Sequence, residues 1–148
     1  MDPCELPALR EWTDKIGTWD LRQFTVNNIS VSHAVAISTV FWPKFTCVDG
    51  CLFVDFLYDE KTYNMWKTKL ADDRAVERTI NHLHLWDLFA PRDDAEYDAL
   101  EDLARVMAKM WKMAASAEFQ EYLVNVEVSN GDDDYGPTLT LHSSPRSN

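Results

Sequence analysis

The chain is poor in glycine, with four residues in 148, and holds only six prolines. That excludes collagen-like and linker-like polymers. Glycines scattered at 17, 50, 131 and 136 cannot build a phosphate-cradling loop. Basic residues are scarce too: 14 Lys and Arg face 25 Asp and Glu, a net charge of −11. Nucleic acid and anionic membrane surfaces call for concentrated positive charge, so neither is an expected partner. No apolar run approaches the ~18 residues of a membrane span. The opening Met1-Asp2-Pro3-Cys4-Glu5 has no basic patch leading into an apolar stretch, which predicts no secretory signal and a cytoplasmic location.

Cysteine is limited to Cys4, Cys47 and Cys51, an odd set that suits a reducing compartment better than a disulfide framework. Three residues separate Cys47 from Cys51, which spells neither a zinc knuckle nor a redox CxxC pair. A Cys2His2 site would have to recruit His82 or His84 from unpatterned positions, so no metal and no cofactor is predicted. Cys47 and Cys51 are instead expected as small, semi-apolar members of a buried strand pair. No GxSxG elbow or other local nucleophile motif occurs.

What is present is an ordinary globular mixture, 46% hydrophobic and 26% charged, sized for one domain. That domain is expected over residues 1–142, with a frayed tail over 143–148. Leu6, Leu9 and Trp12 sit at helical spacing behind Pro7 and predict a helix over about residues 6–15. The stretch Leu21–Val26 alternates loosely and reads as a strand. Val31 to Trp42 is apolar on nearly every side, can be capped by Ser30 or Ser32, and meets Pro43. It is expected as a buried helix. The run from Phe45 to Phe56 reads as a hairpin turned at Asp49-Gly50, with at least one strand inside a sheet.

Two helices should follow. Asp59 can cap a segment whose Tyr63, Trp66 and Leu70 share a face. Asp72 or Asp73 can cap another whose stripe of Val76, Ile80 and Leu83 ends no later than Pro91. The clearest helix begins after Asp93-Asp94, acidic in its early turns and basic at Arg105, Lys109 and Lys112, as the helix dipole favours. A further turn around Glu118–Leu123 should continue it or bend away. A second hairpin is signalled by the alternation of Val124–Val128 and Thr138–Leu141 around a polar loop. The implied fold class is α+β: a small antiparallel sheet of two hairpins packed against several helices in a single domain.

Three features bear on function. Glu77, Asn81, His84 and Leu88 would lie near one face of a helix, where a carboxylate one turn from an imidazole could do acid–base work. His82 and His84, however, would diverge on a helix and share a face only on a strand, so the reading as rim residues is preferred. The six tryptophans favour cores, pockets and interfaces; Trp66, Trp86 and Trp111 fall on or beside helical stripes and are assigned to the core by default. At least one or two of the six are expected to stay partly exposed, because a small domain struggles to bury six indoles. The third feature is charge placement. Residues 93–136 hold twelve carboxylates against Arg105, Lys109 and Lys112, a local balance of −9 out of −11. The calcium-loop spacing is missing from Gly131-Asp132-Asp133-Asp134. An acidic face of this kind either only solubilises or receives a basic protein.

The preferred expectation is a non-enzymatic, acidic binding protein that inhibits a basic partner such as a toxin or nuclease, in the manner of an immunity protein. Its contact residues would be Asp98, Glu101 and Asp102 on the helix and Asp132, Asp133, Asp134 and Tyr135 on the loop. One alternative is a small hydrolase that uses His82 or His84 with Glu77 or Asp87. Another is a structural homo-oligomer.

Overall fold

Helix starts in the computed structural model, which describes residues 2–130 and 136–146, follow the capping residues. Helix α1 (Pro7–Ile16) has proline in its first turn. Asp20 caps α2 (Leu21–Asn28) by accepting from the Arg22 and Gln23 amides, and Ser30 caps α3 (Val31–Phe41) through the His33 amide. Asp59, Asp72 and Asp93 do the same for α4 (Glu60–Lys69), α5 (Asp73–Ile80) and α6 (Asp94–Glu118). Each side-chain oxygen satisfies an amide that the helix leaves unpaired.

Strands β1 (Phe45–Val48) and β2 (Cys51–Val54) form a two-stranded antiparallel hairpin. Asp49 and Gly50 take φ values of 49° and 76°, the left-handed pair that a tight type I′ turn requires. The Asp49 carboxylate then accepts from the Tyr63 hydroxyl at 2.7 Å and from the Lys67 ammonium, which pins the turn to α4. Strands β3 (His82–His84), β4 (Tyr122–Ser129) and β5 (Thr138–Pro145) make a second antiparallel sheet in the order β3-β5-β4. Among the described residues the molecule is thus an α+β assembly of six α-helices and two small sheets.

β2 is buried along its whole length because it has a core on each face. Leu52 and Val54 join the main core with Leu83, Val124, Leu139 and Leu141 and with Met107 and Trp111 of α6. Cys51 and Phe53 join a second core with Tyr63, Val76 and Ile80. Burial raises the Cys51 thiol to a pKa of about 11, leaving it inert, whereas Cys47 is exposed on β1.

Two polar side chains, one on α5 and one at its C-cap, join the sheets. Glu77 and Asn81, one turn apart and fully buried, insert between β2 and β5. Glu77 accepts from the Leu52 amide at 2.8 Å, the Ser143 amide at 3.1 Å and the Ser143 hydroxyl. Asn81 accepts from the Val54 amide and donates to the Leu52 and Leu141 carbonyls. These side chains supply the hydrogen bonds that a neighbouring strand would give, so β2 is covered at an edge and does not lie inside a sheet.

Several expectations are corrected. Leu21–Asn28 is a helix, because the Asp20 cap and the following polar residues prevail over the loose alternation. Helix α3 forms as expected but contributes no buried residue. Helix α5 stops at Ile80, since Asn81 is drawn between the sheets and His82–His84 pair with Thr138–Thr140. No further helix follows α6; a single hydrogen-bonded turn, the Tyr122 amide donating to the Phe119 carbonyl at 3.1 Å, leads into β4 at Tyr122. β5 runs on to Pro145, past the expected start of a frayed tail, and its Ser143 is held by Glu77. Of the tryptophans assigned to the core, Trp111 is buried, Trp66 is half-buried and Trp86 is exposed. Trp86 lies over Gly136, where an added Cβ would stand 2.5 Å from its indole nitrogen.

Candidate functional site

The acidic helix face becomes a shaped site only through contact with the chain's first residues. Ala95 and Ala99, one turn apart on α6, leave a shallow floor that the 3₁₀ turn Pro3–Glu5 and Leu6 wall off. The result is a notch of about 240 Å³ lined by Glu5, Leu6, Ala95, Asp98, Ala99 and Asp102. Among the described residues the carboxylates of Glu5 and Asp98 have no ion-pair or hydrogen-bond partner. Arg105 is shared by Asp102 at 2.7 Å and Glu101 at 3.2 Å. Glu5 and Asp98 therefore give the notch negative charge, whereas Asp102, whose carboxyl is held below the usual range by its hydrogen-bond partners, is already compensated. The volume suits an ammonium or guanidinium group.

On the other side of Leu6 and Ala99 opens an apolar cleft of about 550 Å³. Leu88, Phe89, Pro91, Leu100 and Leu103 line it, and the Arg92–Glu96 ion pair closes one rim. Hydrogen bonding to the Arg92 guanidinium lowers the Glu96 pKa, so that rim stays charged. Acidic notch and apolar cleft are neighbouring depressions that share the wall residues Leu6 and Ala99. Comparison with protein-family models, curated proteins and solved structures finds no match. The site must be read from its own chemistry.

Of the contact residues expected from sequence, Asp98 and Asp102 line the notch, and Glu101 stands beside it on Arg105. Asp132, Asp133, Asp134 and Tyr135 lie outside the described residues. Sequence reasoning missed Glu5 and the apolar cleft. Its only signal was Leu6, seen as one member of a helical stripe.

The histidines occupy a different surface, the outward face of the three-stranded sheet. His82 and His84 lie on β3 with ring centroids 4.8 Å apart and nearly perpendicular. His82 Nδ1 is bonded to the Thr140 hydroxyl at 2.8 Å, while His84 Nδ1 is buried without a hydrogen-bond partner. Glu77 spends its oxygens on Leu52, Ser143 and Arg74, and no hydrogen bond links Asp87 to either imidazole. Among the described residues no three His, Cys, Asp or Glu side chains converge to hold a metal ion.

Beside the histidines, Arg78 grips Glu127 with two hydrogen bonds of 2.6 and 3.2 Å, and His142 approaches the same carboxylate at 2.9 Å. The guanidinium holds the Glu127 pKa down to about 2. A carboxylate so stabilised is a weak base. Its depressed pKa also makes a pH prediction. The stability that Glu127 contributes is present above its ordinary pKa of 4.5 and is lost as pH falls through about 2. The pair is half exposed, so solvent screening keeps the effect small. Thermal melts of wild type and Glu127→Gln should converge as pH falls across that window; curves that stay parallel would contradict the assignment.

Proposed function

We propose that this protein is a non-enzymatic binding protein, an inhibitor of the immunity type, that takes a basic protein partner on the α6 face. The observation that carries the proposal is that the acidic notch lies directly beside the apolar cleft, the two sharing Leu6 and Ala99. An acidic surface alone serves solubility equally well. A charged notch beside an apolar cleft matches a lysine or arginine next to a large apolar side chain, an anchor and its orienting charge. The net charge of −11 would speed encounter with a cationic partner, and the cleft would slow its release. Among the described residues no helix is long and apolar enough to cross a membrane, and a cytoplasmic location is part of the same proposal.

Selection from a random peptide display library tests it. Enriched peptides should place Lys or Arg within one turn of Leu, Ile, Phe or Trp. Their binding should fall at least about tenfold with Glu5→Lys/Asp98→Lys, and their association should slow as salt rises. Enrichment of peptides without basic residues, or indifference to both substitutions, would refute the proposal.

A further inference from the structure

The molecule carries a second surface with the opposite character. Residues 23–43 contain no Asp, Glu, Lys or Arg, in a chain where charged residues make up 26%. This stretch forms most of α2 and all of α3, and apolar side chains lie open on it: Val31 is 81%, Val26 79%, Val35 59% and Trp42 50% exposed. Ile29 and Ile37 add further exposed area. The end of α3 is fastened to the body, through Val40 and Phe41 against the main core and the Trp111 indole bonded to the Val40 carbonyl.

We infer that this face binds a second copy of the same chain. Three observations select that occupant. Charge comes first: two molecules of net charge −11 repel wherever their acidic surfaces face each other, and residues 23–43 offer an approach without like charges. A basic partner finds no carboxylate there, and an anionic membrane finds no Lys or Arg.

Shape comes second. The ridge of Val31 and Val35, one turn apart, runs beside a furrow of about 420 Å³ walled by Ile29, Ala34, Ile37 and Phe41. A ridge next to a groove is self-complementary under a twofold axis, each copy seating its ridge in the other's furrow. Size comes third. The six exposed apolar side chains present on the order of 600 Å², near the ~800 Å² per partner of a stable interface.

Sedimentation equilibrium tests the inference. Wild type should have about twice the 17.1 kDa chain mass at tens-of-micromolar concentration. Self-association should tighten as salt screens the repulsion, the reverse of the salt dependence proposed for the basic partner. Val31→Glu/Val35→Glu should run as a monomer, at least about a hundredfold weaker in self-association. Val31→Ser/Val35→Ser should be weakened to a lesser degree, and its far-ultraviolet circular dichroism should match wild type. A wild-type mass of 17.1 kDa would overturn the inference, as would dimers that survive both substitutions. So would sedimentation of wild type, but not the glutamate variant, with phosphatidylcholine vesicles.

Discussion

Replacing Glu77 with leucine should cost about 3–5 kcal/mol of stability, a large share of the 5–15 kcal/mol typical of a whole domain. The carboxylate is fully buried, accepts the Leu52 and Ser143 amides, and is approached by Arg74 at 3.2 Å. Leucine fills the volume but leaves two buried amides unpaired at about 1–3 kcal/mol each, and Arg74 without its partner. Glutamine tests the direction of the hydrogen bonds. It keeps the shape yet turns one acceptor into a donor that faces other donors, so it too should destabilise, by less. Urea unfolding is the measurement, read as a lower midpoint with an unchanged slope. A midpoint shift worth less than about 1 kcal/mol would mean that Glu77 does not hold the two sheets together.

Trp111→Ala should be of similar size, about 3–5 kcal/mol, because the indole has no solvent exposure and sits at the centre of the main core. Trp111→Phe is the milder test. A smaller aromatic ring remains against Phe56, but part of the buried indole and its 2.8 Å bond to the Val40 carbonyl are lost. That variant should lose about 1–3 kcal/mol globally, less than alanine. Its effect should concentrate in α3, whose amides should exchange with deuterium faster than those of α6. Equal protection of α3 in both proteins would show that this bond does not fasten the helix.

Local chemistry was legible in the sequence. Asp49-Gly50 announced the hairpin because few other residues tolerate two successive positive φ angles. Ser30, Asp59, Asp72 and Asp93 announced helix starts because capping is a contact within three residues. What failed depended on distant partners. His82–His84 is a strand because Thr138–Thr140 lies beside it, more than fifty residues away. Glu77 and His84 carried a spacing suited to acid–base work, yet Glu77 serves with Asn81 at two strand edges. Apolarity on every side of α3 read as burial, since a pattern reports what a helix would bury and not whether anything covers it. The notch was half legible. Asp98 and Asp102 stood out as charge, but Glu5 and Leu6 come from the other end of the chain.

The most direct test of the binding account is amide chemical-shift mapping with a selected Lys- and Leu-containing peptide. The account predicts perturbations centred on Leu6 and on residues 95–103, suppressed by Glu5→Lys/Asp98→Lys. Perturbations centred on Arg78, Thr79, His82 and Thr140, which border a separate depression on the sheet face, would contradict it and move the functional surface to the histidines.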